Sequence, residues 1–255
     1  HGLVEDGVAY EKSGVLVSGG EIVMVKESSD DLGKAKIPGQ HLITEFALHL
    51  LESHLKRAKM SKSDPSLLSM LDPMILLLHS CLESKHGAVL HLALKCLSHL
   101  FRFPLPSIAL VGEDLLGIIL DMAQKSGKGE TQVSQACFHV LVALLKHAKG
   151  VNISAEQIRI ILQVPLFVDL ETAENNTGLI LLKAIVSRKL LIPELYDIIN
   201  KISNLMVRSH TATVRLYCSQ IILQFLLDYP LGGRRLQQHL DFFVSNLRLV
   251  YIFKY

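Results

Sequence analysis

The chain has 255 residues, of which 49% are hydrophobic, 20% charged and 6% aromatic, with no Trp and a formal net charge of +2 at pH 7. This much apolar material is enough for a continuous core and excludes disorder over most of the length. So mild a charge balance excludes nucleic-acid binding driven by bulk charge, and any RNA contact has to be local.

Residues 1–40 hold seven of the 16 glycines, together with several Ser and Asp residues. Within them Val15-Leu16-Val17 and the run Ile22 to Val25 flank Ser18-Gly19-Gly20, the pattern of a small hairpin. Isolated hairpins are marginal in water, so this region is read as a poorly ordered linker or insertion with a weak hairpin. The first residues, His1-Gly2-Leu3-Val4-Glu5-Asp6-Gly7, lack the basic start and apolar run of a secretory signal. A chain that begins with His is expected to be a piece of a longer protein.

From His41 onward the pattern is helical. Leu42, Phe46, Leu50, Leu51 and Leu55 make one apolar stripe, opposite Glu45, Glu52, Lys56 and Arg57, which predicts a helix over 41–59. Ser61 to Pro65 punctuates, and a second helix covers 66–84, where Asp72-Pro73 is expected to break or kink it. The third helix, 87–102, ends at Phe103-Pro104-Leu105-Pro106, and a fourth spans 107–125 before Gly127-Lys128-Gly129. The fifth covers 130–149, with Gly150 placed to stop it as a C-terminal glycine cap. Ser154 and Gln157 have the spacing of a capping box and open the sixth helix, which runs to Gln163 and continues irregularly to Leu170. Segments 176–189, 193–208, 211–228 and 234–247 complete a series of ten helices, joined by short connections that exclude a βαβ architecture.

One helical pattern recurs. Val89, Leu92, Ala93, Cys96, Leu97 and Leu100 occupy offsets 0, 3, 4, 7, 8 and 11, and Val133, Ala136, Cys137, Val140, Leu141 and Leu144 repeat them 44 positions later. Val214, Tyr217, Cys218, Ile221, Ile222 and Phe225 do so again, and Gly178, Leu181, Leu182, Ile185 and Val186 follow the first five, with Lys189 breaking the last. The starts at 89, 133, 178 and 214 have the spacing of HEAT and armadillo units, too long for tetratricopeptide or ankyrin ones. The fold expected is therefore all-α, a HEAT/armadillo-like α-solenoid of antiparallel helix pairs over 41–248, with an atypical apolar tail at 249–255. Such an architecture points to a binding surface more than to a pocket.

The chemistry-bearing residues give no catalytic constellation. His79, Cys81, His91, Cys96 and His99 lack the close ligand pairs that structural zinc requires, and no metal or cofactor is expected. There is no Gly-x-Ser-x-Gly elbow, and Gly19-Gly20 and Gly127-x-Gly129 are too short for a phosphate-cradling loop. A noncatalytic protein without a small-molecule substrate is the expectation. The cysteines Cys81, Cys96, Cys137 and Cys218 lie inside apolar stretches, as reduced thiols of a reducing compartment do. The apolar runs, such as Met74 to Leu78 and Leu179 to Leu182, fall short of the roughly 20 residues of a membrane span, so no membrane partner is expected. Two basic groups remain as candidate contacts for RNA or an acidic partner: Lys56, Arg57, Lys59 and Lys62 at one helix end, and Arg234 with Arg235 at the start of the last helix. The first group is also what the helix dipole favours, whereas cations at a helix start oppose it.

The stretch Arg215 to Gly232, above all Leu227-Asp228-Tyr229-Pro230-Leu231-Gly232, followed by Leu240-Asp241-Phe242-Phe243 and Asn246-Leu247, resembles the small-subunit processome component 20 family (down-regulated in metastasis), very large HEAT-repeat proteins. The resemblance runs from about residue 41 to 248. It implies a noncatalytic scaffold of the small-subunit processome in nucleolus and nucleoplasm, supporting pre-rRNA processing and early small-subunit assembly. The partners it implies are other processome proteins and pre-rRNA or the small nucleolar RNP. A transport-receptor-like or general protein-binding solenoid is the alternative. Such a receptor carries regularly spaced Asn or Trp on its inner helices, and Trp is absent.

Overall fold

The computed structural model describes residues 15–18, 21–24, 39–57, 64–125, 131–163 and 176–252, with side chains through Asn246 in the last helix. The chain divides into two compact units, 1–40 and 41–255. In the first, β1 (Val15–Ser18) pairs antiparallel with β2 (Glu21–Met24), Val15 opposite Met24 and Ser18 opposite Glu21.

The second unit is all-helical. Its ten helices among the described residues are α1 (Gln40–Arg57), α2 (Pro65–Cys81), α3 (Gly87–Leu100), α4 (Pro106–Lys125), α5 (Gln132–His147), α6 (Ala155–Gln163), α7 (Thr177–Val186), α8 (Pro193–Arg208), α9 (Ala212–Asp228) and α10 (Gly233–Ile252). Their starts are set by local chemistry. Asp64 accepts the Ser66 amide at 3.0 Å ahead of Pro65, and Thr131 Oγ1 accepts the Ser134 amide at 3.1 Å. The capping box read from the sequence is formed reciprocally: the Gln157 amide donates to Ser154 Oγ at 3.1 Å, and the Ser154 amide donates to Gln157 Oε1 at 2.9 Å.

Helices α3, α5, α7 and α9 pack each on the next, and α2, α4 and α6 form a second row. The rows meet where α2 packs on α3, α4 on α5 and α8 on α9. The recurring offsets are the core of the first row: Leu92, Ala93, Cys96, Leu97 and Leu100 are buried, as are Ala136, Cys137, Val140, Leu141 and Leu144. Helix α1 joins beside α3, where Cys96 Sγ donates to Leu48 O at 3.7 Å and Leu48 and Leu55 are buried.

Polar links between neighbours within a row repeat at near-constant separation. Asp72 on α2 accepts both the amide and the hydroxyl of Ser107, at 2.9 and 2.7 Å, and so caps the start of α4 from outside. His79 Nε2 bonds Asp114 Oδ2 at 2.7 Å, and Arg159 Nε donates to Glu194 Oε1 at 3.1 Å; all three links span 35 residues. In the other row His91 Nδ1 meets Gln132 O at 3.0 Å, and Lys183 Nζ donates to Gln220 Oε1 at 2.6 Å.

Three local expectations are corrected. Of the break or kink expected at Pro73, the break does not occur: α2 runs through it as one helix, with Leu71, Ile75 and Leu78 buried on both sides. Three such burials, each contributing about 1.5–3 kcal/mol, outweigh a proline cost of about 3 kcal/mol. Gly150 is not a left-handed cap: α5 ends at His147, and a turn closed by the Val151 amide on Ala148 O, 3.2 Å, seats Val151 against Gly112 of α4. Positive φ occurs among the described residues at Gly39 and Lys189 alone. Lys189 breaks the repeat because α7 has already ended at Val186; at φ 57° it turns the chain and pairs with Asp228 of α9 at 2.7 Å. At the far end the helical backbone of α10 continues through Ile252, so residues 249–252 of the apolar tail extend that helix, and 253–255 lie outside the described residues.

Candidate nucleic-acid interface

Lys56 and Arg57 are exposed in the last turn of α1, where the dipole stabilises them. Lys59 and Lys62 lie outside the described residues. Arg234 and Arg235 are exposed in the first turn of α10, and the two groups therefore sit on the first and last helices and are not brought together. Arg235 has a structural task that explains a cation at a helix start. Its guanidinium carbon stands 4.3 Å from the Tyr196 ring centroid, a cation–π contact that ties α10 to α8.

That contact belongs to an aromatic junction built by the motif Leu227 to Gly232. Phe225 and Tyr229 stack at 4.5 Å, and Tyr196 meets Phe225 edge-on at 5.0 Å. The Tyr229 hydroxyl donates to Val186 O at 3.3 Å, and the Tyr196 hydroxyl to Pro230 O at 3.1 Å. Burial, with the neighbouring Tyr196 and Asp228, pushes the Tyr229 hydroxyl up to about 12, so it remains a donor at neutral pH. The motif is a lock between α7, α8, α9 and α10.

The cationic groups missed by the sequence reading lie along the first row. Lys95 and His99 on α3, Arg102 just after it, His139 and Lys146 on α5 and Lys183 on α7 are exposed or half-buried, and their charges act on one another. Burial, then Arg102, with smaller effects from Lys56 and Lys95, holds His99 below the usual imidazole range, opposed by Glu52 of α1. Burial and then Lys95 depress His139. Burial, then Lys183 and Arg102, lower Lys146. Among the described residues no carboxylate lies within ion-pair distance of Lys95, Arg102 or Lys146. The cause is in the sequence, since 84–112, 131–155 and 176–193 contain no Asp or Glu, and the acids Glu113, Asp114, Asp121, Glu156, Glu194 and Asp197 fall on α4, α6 and α8.

The metal-ligating types are engaged elsewhere. His79 is bonded to Asp114 and His91 to the Gln132 carbonyl, and Cys96 is buried and pushed up to about 12, by burial first and then by the charge of Glu52. Among the described residues no group of three or more His, Cys, Asp or Glu is placed to hold a metal ion. No helix among them is long and apolar enough to cross a membrane.

Two curated proteins match the chain. It is 34% identical over 125 residues, 49% of its length, to U3 small nucleolar RNA-associated protein 20 of Schizosaccharomyces pombe. It is 25% identical over 207 residues, 81% of its length, to the protein of the same name in Saccharomyces cerevisiae. Over these stretches the chain is similar to both proteins. The matches take in 5% and 8% of these relatives, so the chain spans less than a tenth of the length of either. No protein-family model matches the chain.

Proposed function

We propose that the chain is a segment of a HEAT-like α-solenoid that serves as a noncatalytic scaffold of the small-subunit processome, in pre-rRNA processing and early small-subunit assembly. Its place of action on this reading is the nucleolus and nucleoplasm, and its partners are other processome proteins with pre-rRNA or the small nucleolar RNP. The observation that carries the reading is the similarity, over 81% of the chain, to a protein named for its association with U3 small nucleolar RNA. The packing supports the architectural part. Two rows of helices, each member resting on the next and linked by polar bonds 35 residues apart, make a core that grows by addition of helix pairs and leaves a continuous outer face.

A scaffold acts by holding partners in register, and this chain is suited to that by rigidity across its repeats. Asp72 to Ser107, Arg159 to Glu194 and Tyr229 to Val186 each fix one unit against the next through a side chain with a defined acceptor or donor. The test is the full-length tagged protein in cells. Concentration in nucleoli with recovery of precursor rRNA supports the reading, and diffuse cytosolic staining with no rRNA recovered refutes it.

A further inference from the structure

We propose that the basic face of α3, α5 and α7, three helices without Asp or Glu and bordered at α3 by Glu52 of α1, binds the phosphate backbone of double-stranded RNA without reading its sequence. The proposal rests on the assignment to a pre-rRNA scaffold and names the surface and the kind of RNA. Its geometric basis is the stacking of three successive helices of one row. Lys95 and His139 occupy the same offset of successive units, 44 residues apart, and Lys183, 44 residues further on and one position short of that offset, places its charge beside Lys146 on the next helix of the row. Helices packed side by side stand about 8–10 Å apart, so these positions form a stripe rather than a point. Arg102 and Lys146 widen it at the C-terminal ends of α3 and α5.

Three features select the occupant. First, the cations are not neutralised: Lys183 bonds the neutral Gln220, and Lys95, Arg102 and Lys146 have no carboxylate at ion-pair distance among the described residues. Second, none of the large exposed hydrophobics of the described residues lies on α3, α5 or α7; they fall on α1, α2, α4, α8, α9 and α10 and on the loop residue Leu191. A protein ligand takes most of its affinity from apolar or aromatic anchors seated in pockets, and this face offers none. An acidic peptide would find charge here and nothing to hold its side chains. Third, exposed aromatics are also missing from the three helices, which removes the stacking platform on which single strands are bound. What remains is a ribbon of Lys, Arg, His and Gln donors, suited to the phosphates and 2′-hydroxyls that an A-form helix displays.

The measurement is fluorescence anisotropy of the full 255-residue chain with a 20-base-pair RNA duplex of mixed sequence, the corresponding single strand and polyglutamate, between 50 and 200 mM KCl. Four phosphate contacts give a slope of log K on log salt of about −3.6, a loss of about 150-fold over that range. The Lys95→Gln, Arg102→Gln, Lys146→Gln, Lys183→Gln variant is expected to lose at least about tenfold at 50 mM and most of the slope. Lys95→Gln with Lys146→Gln alone alters two exposed side chains outside the core and is expected to reduce the slope by about 2. Lys125→Gln with Lys201→Gln, which removes equal charge from α4 and α8, is expected to change neither. Duplex binding unaffected by the row variants, or equal loss from the α4 and α8 control, overturns the proposal. So does tighter binding of polyglutamate or of the single strand than of the duplex. Nucleolar location and rRNA recovery that persist while the face binds no RNA would sink this inference and leave the scaffold reading standing; loss of both in cells, with duplex binding intact in solution, would do the reverse.

Discussion

Arg188 offers a quantitative test of how neighbouring repeats are held together. It follows α7, and its guanidinium donates to Ala148 O at 2.8 Å and to Leu144 O at 3.3 Å, the carbonyls that close α5. A charge-assisted bond of good length contributes about 1.5–3 kcal/mol, and the 3.3 Å bond adds less. Two terms oppose this. Burial disfavours the charge, as the downward shift of the guanidinium shows, and Nε is buried without a partner among the described residues. Nor does removal orphan the acceptors, since Leu144 O still takes the Ala148 amide at 3.0 Å and Ala148 O the Val151 amide at 3.2 Å. The expected cost of Arg188→Met, which keeps the apolar stem, is therefore about 1–2 kcal/mol and not the 3–5 kcal/mol of a broken buried ion pair. Urea unfolding followed by circular dichroism gives the total, and hydrogen exchange of the Ala148 and Val151 amides locates it at the end of α5. A variant as stable as the parent, or more stable, would refute the view that this bond clamps α7 to α5.

Other consequences follow from burial. Gly112→Ala places a methyl group where Val151 packs, and Val151 is 3% exposed, so a loss of about 1–2 kcal/mol is expected after the helix-propensity gain. Val151→Ala in the same chain should recover part of it, and additive losses would show that the two residues do not compete for the space. Burial raises all four thiols, Cys96 and Cys137 to about 12 and Cys218 to about 11, while Cys81 is half-buried. With Ellman's reagent at pH 8, Cys81 is expected to react first and the other three only as fast as the protein opens; equal rates for all four would contradict this. His99, His139 and His239 are held below the usual imidazole value, by burial first in each case. Arg102, Lys56 and Lys95 add to this at His99 against Glu52, and Lys95 adds to it at His139. The native state therefore binds fewer protons than the unfolded chain. Stability should be complete above about pH 7.5 and fall as pH drops through about 6.5, and an unfolding midpoint that rises on acidification in that window would refute it.

The first row was legible because its offsets are one buried stripe, so the positions that recur are the ones that touch a neighbour. Leu97 and Leu141, or Cys96 and Val140, share an offset because they fill the same place in successive units. Features that depend on a distant partner were not legible. Nothing local to Arg235 announces Tyr196, and nothing around Asp72 announces that it caps α4, because both contacts are made only after helices far apart in sequence are stacked. Gly150 and Pro73 were misread for the opposite reason. Their local signals are strong, but burial of Val151 in one case and of Leu71, Ile75 and Leu78 in the other outweighs them.

The basic face lies between these cases. Its signal was present in the chain as the 44-residue spacing of Lys95, His139 and Lys183 and as three segments empty of Asp and Glu. It became readable only once α3, α5 and α7 were known to lie side by side, because along the chain the three acid-free segments are separated by acid-bearing helices. Two-row packing converts an alternation along the chain into a separation in space: the acid-free α3, α5 and α7 lie side by side in one row, and the acid-bearing α2, α4 and α6 that alternate with them lie in the other. A mild overall charge of +2 is thus compatible with a local cationic ribbon, and the exclusion drawn from composition holds for the chain as a whole without holding for this face.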